Sequence, residues 1–324
     1  MRLRLALVLV VILLVPIHAN AGTNGYENWP TDASSYTWDE ARWETVGGTI
    51  GGLALPLSTN STDASVTMEV SDFPQIIEVY TATWCTNCVQ TEGILNQVID
   101  QSDVMLINYH KFKFEPEDPF GSNGTDNRWE AIYGDTSERV GFSPRLAPTT
   151  VFDGERLHVG TRAKSSNLSN DYSASISVGS SHPYSGTASF SLSRSSESSP
   201  TSVDFSWDLN YMSHDCGKNC QPYTLTPWIM FIEQVASFPE GSNGKGNYSH
   251  ILRDTIQLPN LQGEISADLP EPWDGDDMSA ILVIDWNLPN SDDSTDRAIP
   301  APGVSTLICL LATLVPRRNN HMHP

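Results

Sequence analysis

Four cysteines that fall into two close pairs are the residues with the clearest potential for chemistry. Cys85 and Cys88 are separated by two residues, and Cys216 and Cys220 by three. Thiols at such spacings can form a disulfide, exchange it with another protein or bind a metal ion. The four lack the compact spacing of a zinc ribbon, which leaves disulfide chemistry as the favoured reading for both pairs.

The segment around the first pair predicts a strand that leads directly into a helix. Gln75–Thr81 is rich in β-branched and aromatic residues, and apolar residues recur at helical spacing over Val89–Gln101. We therefore expect Cys85 at an exposed helix N-terminus, where free N–H groups and the helix dipole stabilise a thiolate. Cys88 lies on the same helix face and could resolve a mixed disulfide formed by Cys85. A static structural disulfide is the alternative.

The rest of the chain separates into a mixed part and a part without helical pattern. In the first part we predict strands and helices in alternation, whereas from Ser180 onward apolar and polar residues alternate as in half-buried strands. The number of later strands favours a β-sandwich of immunoglobulin-like architecture. The predicted strands are Val104–Tyr109, Thr149–Phe152, Leu157–Gly160, 188–192, 203–209, Trp228–Val235, Tyr248–Gln257, Leu261–Asp268 and Ser279–Trp286, and the helices are Asn127–Tyr133 and Asn167–Ile176.

The segments EVYTATWCTNC and APTTVFDG, with this order of elements, resemble the thioredoxin superfamily over about residues 72–178. The resemblance implies that Trp84 shields one side of the cysteine pair. It also implies that Ala147 and Pro148 present backbone groups to an extended substrate, with Pro148 in the cis form. The buried acid that thioredoxin has six residues before its first cysteine is replaced by Val79, and Glu78 points to the other face of its strand.

Three segments are also similar to a family of extracytoplasmic surface proteins named after a twenty-eight-kilodalton outer-membrane protein. They are YTATWCTNC, Asn108–His110 and Asn247–Arg253. Members of that family join a thioredoxin-like domain to a β domain, so the resemblance implies an architecture and a location. His110 either serves as a base or merely ends its strand.

Both ends of the chain predict export and surface attachment. Arg2 and Arg4 precede the apolar run Leu5–Val15, and Ala19–Ala21 is a cleavage site typical of a secretory signal. At the other end, residues 300–324 contain a Pro-Gly motif, an apolar run with Cys309 and a basic pair. This layout resembles the PEP-CTERM and PGF-CTERM sorting tails. An uncleaved anchor and a simple C-terminal membrane helix are the alternatives.

The chain has 324 residues and a formal net charge of −21, which argues against a nucleic-acid partner. Only the C-terminal tail is expected to contact a membrane. The expected fold class is an α/β thioredoxin-like domain plus an all-β immunoglobulin-like sandwich domain. The expected segments are a signal peptide (1–21), an irregular lead-in (22–72), the thioredoxin-like domain (73–178), the β-sandwich domain (180–288), an acidic linker (289–299) and a hydrophobic sorting or anchor tail (300–324).

These features predict an extracytoplasmic thiol–disulfide oxidoreductase that acts on exported proteins, with Cys85 and Cys88 as catalytic residues. The expected partners are protein thiols and disulfides and a separate redox partner, without a cofactor or a metal. Cys216 and Cys220 are expected to staple a loop as a structural disulfide, with a second redox pair or a metal site that includes His214 as alternatives. A non-catalytic surface binding or adhesion protein and a metal-handling protein are the competing functions.

The predicted β part offers no set of residues to which catalysis can be assigned from the sequence. We therefore expect a fragment of about residues 60–178 to retain thiol-exchange activity. If it does not, His214, His250 and the second cysteine pair are the first residues to suspect.

Overall fold

The computed structural model describes residues 37–288, except positions 44, 59–62, 101, 116, 195–201 and 215–222. Within these residues the protein is mostly β-sheet with some helices. The predicted signal segment, the acidic linker, the C-terminal tail and the pair Cys216 and Cys220 lie outside the described residues.

The first half of the described chain alternates strands and helices. Its strands are β1 (Asp39–Glu40), β2 (Gly47–Pro56), β3 (Asp63–Glu69), β4 (Gln75–Thr81), β5 (Val104–His110), β6 (Thr149–Phe152) and β7 (Arg156–Val159). Its helices are α1 (Thr86–Ile99), α2 (Asn123–Trp129), α3 (Asp135–Gly141) and α4 (Leu168–Val178), with a 3-10 turn at Val70–Asp72 and a π-helical turn at Glu130–Gly134 between α2 and α3.

The second half of the described chain consists of strands. They are β8 (Tyr184–Ser193), β9 (Ser202–Asp208), β10 (Met212–His214), β11 (Thr224–Ser237), β12 (Asn247–Gln257), β13 (Gln262–Asp268) and β14 (Met278–Asn287). Strand β10 has no counterpart among the strands that the sequence predicts.

Strands from both halves form one large sheet. In the described residues its order is β1-β7-β6-β4-β5-β12-β11-β14-β2, and a second sheet has the order β10-β8-β9-β13 with β3 beside β8. The halves pair at three places: β2 beside β14, β3 beside β8, and β5 parallel to β12, where Asn108 is opposite Ile251. The Asn108 side chain strengthens this contact by donating to the carbonyl of Ser249 at 2.6 Å.

Three strands, β1, β2 and β3, lie in the segment for which the sequence predicts irregular structure. Strand β2 is rich in glycine, yet it pairs with β14 over most of its length and is largely buried. Gly51 has φ 148°, and a Cβ there would come within 2.5 Å of Phe73 Cβ, so this position requires glycine. Glycine thus permits a close approach in β2, and burial against neighbours compensates for the weak strand propensity.

Side chains cover the large sheet on both faces. One core cluster fills the space between the two sheets and includes Phe190, Phe205 and Phe231. Where the large sheet extends into the first half, α1 and α4 cover one face around Leu95 and Tyr172. The opposite face carries a cluster with contributions from both halves, including Trp129, Tyr109, Ile232 and Val283.

A buried ionic cluster also connects the two halves. Arg128, at the C-terminal end of α2, pairs with Glu78 of β4, and its Nη2 lies 3.0 Å from Asp285 Oδ2 of β14. Arg42 pairs with the other oxygen of Asp285 at 3.1 Å. Glu78 points to the sheet face that carries Arg128, whereas Val79 packs on the opposite face with Leu95 and Tyr172, as predicted from their alternation in the strand. The expectation of a self-contained fragment 60–178 is at odds with this cluster, since the fragment lacks Asp285 and β12.

Candidate active site

Cys85 and Cys88 form a disulfide at the start of α1, with an S–S distance of 2.07 Å. Cys85 is the N-cap residue of this helix, and its Sγ accepts a hydrogen bond from the Cys88 N–H at 3.2 Å. The predicted strand β4 has the observed bounds, and the predicted position of Cys85 at a helix start agrees with the structure. A negative charge on this sulfur would be stabilised by the helix N-terminus.

The pair is less accessible than the sequence suggests. Cys85 was expected at an exposed position, but it is only 5% exposed, and Cys88 is fully buried. Ala82, Trp84 and Ala147 pack against the two cysteines. Trp84 is half-buried, and Lys111 Nζ lies 5.4 Å from the centroid of its ring. Access to Cys85 therefore depends on the side chains that cover it, and Trp84 is the largest of these.

The peptide bond between Ala147 and Pro148 is cis, as the resemblance implied. Pro148 has no N–H, and its carbonyl accepts a hydrogen bond from the Gly160 N–H at 2.8 Å. The carbonyl of Leu146 accepts from the Thr149 hydroxyl at 2.7 Å. Ala147, which packs against the disulfide, is therefore the residue of this segment best placed to offer backbone groups to a substrate.

Several hydrogen bonds from distant segments fix the backbone just before the cysteine pair. The Thr83 N–H donates to Asp118 Oδ2 at 2.8 Å, and the Asn243 N–H donates to the Thr83 carbonyl at 3.1 Å. The Tyr248 hydroxyl lies 3.2 Å from the same carbonyl, and Asn243 Nδ2 donates to the carbonyl of Ala82 at 3.3 Å. Residues from the second half of the chain thus fix the segment that carries Trp84 and Cys85.

Tyr248 remains protonated at neutral pH in this setting. Burial, together with the nearby carboxylates of Asp118 and Glu92, raises the pKa of Tyr248 to about 12. Its hydroxyl therefore acts as a hydrogen-bond donor towards the backbone of Thr83 and the side chain of Asn243. A Cβ at position 241 would lie 2.1 Å from Tyr248 Oη, so Gly241 is needed for this close approach.

A carboxylate and an ammonium group lie beside the first turns of α1. Glu92 Oε1 accepts a hydrogen bond from the Thr81 hydroxyl at 2.7 Å, and Lys245 Nζ lies 2.5 Å from Glu92 Oε2. Glu92 belongs to the same buried helix face as Cys88. The buried face of the cysteine helix therefore carries one member of an ion pair, whose partner Lys245 is partly exposed.

The His110 side chain is buried and lies among groups that hold the backbone near the cysteines. It is 1% exposed, its Nδ1 lies 2.9 Å from Asp118 Oδ2, and its ring packs edge-on against Phe120 and Tyr248. Asp118 also accepts a hydrogen bond from the Thr83 N–H. His110 therefore helps to position this carboxylate, which in turn holds the backbone next to the cysteine pair. The alternative in which His110 ends its strand fits these contacts better than that of a base.

Sequence reasoning missed Asn243, Lys245 and Glu92, although Tyr248 falls within the segment 247–253 that resembles the surface-protein family. One residue that the sequence singled out in the second half, His214, packs against Tyr184 and Tyr223, with ring centroids at 5.3 and 4.4 Å. Among the described residues, no group of three or more His, Cys, Asp or Glu side chains could hold a metal ion. No helix in the described ranges is long and apolar enough to cross a membrane.

Comparisons with known proteins identify similar chains among solved structures. No protein-family model and no curated protein matches this chain. Among solved structures, a structural-genomics protein of Agrobacterium tumefaciens is 12% identical, with 60% of this chain and 78% of that chain covered and a TM-score of 0.36. HBP35 of Porphyromonas gingivalis is 15% identical, with 71% and 80% covered and a TM-score of 0.34. Similarity at this level carries no argument about function.

Proposed function

We propose that this protein is an extracytoplasmic thiol–disulfide oxidoreductase that acts on exported proteins through Cys85 and Cys88. The observation that carries the proposal is the position of Cys85 Sγ at the N-cap of α1, where it accepts a hydrogen bond from the Cys88 N–H. Such a position lowers the free energy of a thiolate, which is both the nucleophile and the leaving group in disulfide exchange.

In this proposal, residues 73–178 form a thioredoxin-like domain and the later strands form a β-sandwich of immunoglobulin-like architecture. The first assignment is supported by β4, which runs parallel to β5 and antiparallel to β6, with α1 and α4 on one face. The second is supported by the core cluster between the two sheets. The sheet that continues from β5 to β12 makes the two parts one structural unit.

In the proposed exchange the protein starts from the disulfide state seen in the structure. A client thiolate attacks Cys85 Sγ, a new S–S bond forms, and the Cys85–Cys88 bond breaks with its electron pair on Cys88 Sγ, which takes up a proton. A second client thiolate then attacks the client sulfur of the mixed disulfide, and Cys85 leaves as a thiolate. The client dithiol is thereby oxidised and the protein disulfide reduced. The reverse sequence reduces a client disulfide.

Two exposed aromatic rings favour proteins over small thiols as clients. Phe114 is 95% exposed and Phe142 is 91% exposed. Arg145, which follows Phe142 by three residues, holds the Phe114 segment, because its Nη1 donates to the carbonyl of Lys113 at 3.0 Å and its guanidinium lies 5.8 Å from the centroid of the Phe114 ring. Arg145 is two residues from Ala147. Apolar side chains that flank a client cysteine would therefore find aromatic surface near this segment.

The proposed location is outside the cytoplasm, at the cell surface or secreted. The predicted signal segment and sorting tail support it, and an oxidising compartment permits disulfides. A separate redox partner would restore the pair after each exchange. Within this proposal, Cys216 and Cys220 form a structural disulfide, and no cofactor takes part.

The second candidate is a non-catalytic surface protein in which the disulfide only stabilises the start of α1. The observation that favours it is the low exposure of both cysteines, 5% for Cys85 and 0% for Cys88. In this case the pair would not react with protein thiols on a useful timescale.

Single-cysteine variants of the full chain test the proposal. Cys88→Ala removes the resolving thiol, so it should accumulate client proteins as mixed disulfides at Cys85. Cys85→Ala should capture none, because Cys88 is fully buried. Captured proteins are detected as complexes that dissociate on reduction, with the double variant Cys85→Ala/Cys88→Ala as the matched control. Capture by neither single variant would favour the second candidate, and equal capture by both would contradict the assignment of Cys85 as the attacking thiol.

A further inference from the structure

Glu92 shares the buried face of α1 with Cys88. The buried residues of this helix are Cys88, Thr91, Glu92 and Leu95. Glu92 follows Cys88 by four residues, a spacing that places side chains next to each other with their Cβ atoms about 5–6 Å apart. Glu92 is 9% exposed. A carboxylate in such a place costs free energy unless it is paired, so its partners indicate why it is tolerated.

Both carboxylate oxygens have partners from outside α1. The Thr81 hydroxyl donates to Oε1 at 2.7 Å, from the last residue of β4. Lys245 Nζ lies 2.5 Å from Oε2, and this lysine is 153 residues away in the sequence. The side chain of Lys245 is 24% exposed, so the pair lies at the boundary between the interior and solvent. Protons can therefore move between Glu92 and water past the ammonium group.

Other ionisable groups face this pair from the elements packed around it. Lys245 Nζ lies 5.1 Å from the centroid of the Tyr248 ring, and the Glu92 carboxylate contributes to the raised pKa of Tyr248. The Glu92 carboxylate also acts on Tyr172 of α4, whose pKa is raised to about 12 mainly by burial and to smaller extents by Asp171 and Glu92. The His110 ring packs against Tyr248, and its Nδ1 lies 2.9 Å from Asp118 Oδ2. Both tyrosines are neutral at physiological pH, which leaves Glu92, one helical turn from Cys88, as the ionisable group of this pair on the cysteine helix.

We infer that Glu92 exchanges the proton with Cys88 during disulfide exchange, and that Lys245, supplied by the second half of the chain, is a positioning residue that holds the Glu92 carboxylate in place. The inference rests on the proposed function and deepens it. It makes the second half part of the active site, whereas the sequence suggested that catalysis belongs to the first half alone.

Glu92 gives a proton to Cys88 in one direction of the exchange and takes it back in the other. When a client thiolate bonds to Cys85 Sγ, the Cys85–Cys88 bond breaks and its electron pair stays on Cys88 Sγ. Glu92, in its protonated form, gives the proton to this sulfur and regains one from water. In the reverse direction, the Glu92 carboxylate takes the proton from the Cys88 thiol as its sulfur attacks the mixed disulfide. The client thiolate then leaves with the electron pair of the broken bond.

Stopped-flow kinetics with dithiobis-nitrobenzoate separate the two steps in the reduced full chain. The first release of thionitrobenzoate reports the attack by Cys85, and the second reports the resolution by Cys88. The signal of the double variant Cys85→Ala/Cys88→Ala is subtracted to remove the contribution of other thiols. Both rates are measured across pH for the wild type and for each variant.

The variants should have distinct signatures. Glu92→Gln should slow the second release about 100-fold, the effect of losing a general base, and abolish the acid limb of its pH profile, while the first release is retained. Lys245→Met should move that limb to higher pH, because loss of the cation favours the protonated carboxyl. Glu92→Asp should restore part of the rate. Glu264→Gln, an exposed residue of β13, is the matched control and should change neither release.

Three results would overturn the inference. If the second release and its pH profile are the same in Glu92→Gln as in the wild type, Glu92 does not handle the proton, and an intact first release would leave the proposed function standing. If Glu92→Gln fails to give a native near-ultraviolet spectrum, an unchanged acid limb in Lys245→Met together with an unchanged second release in Glu92→Asp would decide against it. Absence of the first release from the wild type would overturn both the inference and the proposed function.

Discussion

Replacement of Arg128 by methionine tests how strongly the two halves depend on each other. The side chain of Arg128 is 0% exposed and lies between the carboxylates of Glu78 and Asp285, whose side chains are 0% and 2% exposed. Removing one partner of a buried ion pair costs about 3–5 kcal/mol, because an uncompensated charge stays behind. Arg128→Met leaves two carboxylates without this partner.

The contacts that Glu78 and Asp285 keep in the variant determine how large the loss of unfolding free energy is. Asp285 keeps Arg42 at 3.1 Å, and Glu78 keeps hydrogen bonds from the hydroxyls of Tyr109 and Tyr133. The loss should therefore be close to one broken pair, about 3–5 kcal/mol, and not twice that amount. Since small proteins are stable by about 5–15 kcal/mol, such a loss is a large share of the total.

Equilibrium unfolding in urea, followed by tryptophan fluorescence and by circular dichroism, measures this free energy. The matched control is Arg139→Met, whose guanidinium lies 4.1 Å from the ring centroid of the exposed Trp43, a contact worth about 0.5–1 kcal/mol. A loss below about 1 kcal/mol for Arg128→Met, similar to that of the control, would refute the reasoning that the buried cluster joins the halves.

Three further predictions follow from the same structure. A fragment of residues 60–178 should lack a cooperative urea transition, because it loses β12 and the partners of the buried cluster; a cooperative transition with retained exchange activity would contradict this. Replacing Phe114 and Phe142 by serine should raise KM for a protein substrate such as insulin and leave reaction with a small disulfide unchanged; equal effects on both substrates would count against an aromatic client surface. Burial lowers the pKa of His158 from 6.5 to about 3, so its contribution to stability is present above pH 6.5 and is lost as the pH falls towards 3. His158→Gln should make the urea midpoint less dependent on pH in this interval, and an unchanged dependence would refute that.

Local patterns in the sequence were sufficient to predict the elements that carry the cysteines. Strands β4 and β6 have the predicted bounds, because their apolar, β-branched runs end at clear turn or motif residues. Helix α1 begins earlier than its apolar pattern, at Thr86, because Cys85 caps it. The helix predicted at 127–133 is only part of a longer helical segment. Its start was missed because the capping box of Ser122 and Thr125 has threonine at the position where a capping box usually has Glu or Gln.

The parts that could not be predicted depend on contacts between distant segments. Strand β2 is glycine-rich and is stabilised by pairing with β14, and no local pattern indicates that partner. The pairing of β5 with β12 is likewise not indicated by any local pattern in the sequence. Lys245 looks like an ordinary solvated residue in its Gly- and Asn-rich loop, and only the fold brings it to Glu92.

Redox titration of the purified full chain in glutathione buffers tests whether Cys85 and Cys88 take part in thiol–disulfide exchange. Alkylation of free thiols followed by mass analysis gives the fraction of the Cys85–Cys88 disulfide at each buffer potential. We expect this pair to equilibrate with glutathione, with a midpoint above about −300 mV, because a helix N-terminus stabilises the reduced thiolate form. If the pair stays fully oxidised in every glutathione buffer, with a midpoint below about −300 mV, it is a structural disulfide and the proposed exchange is wrong.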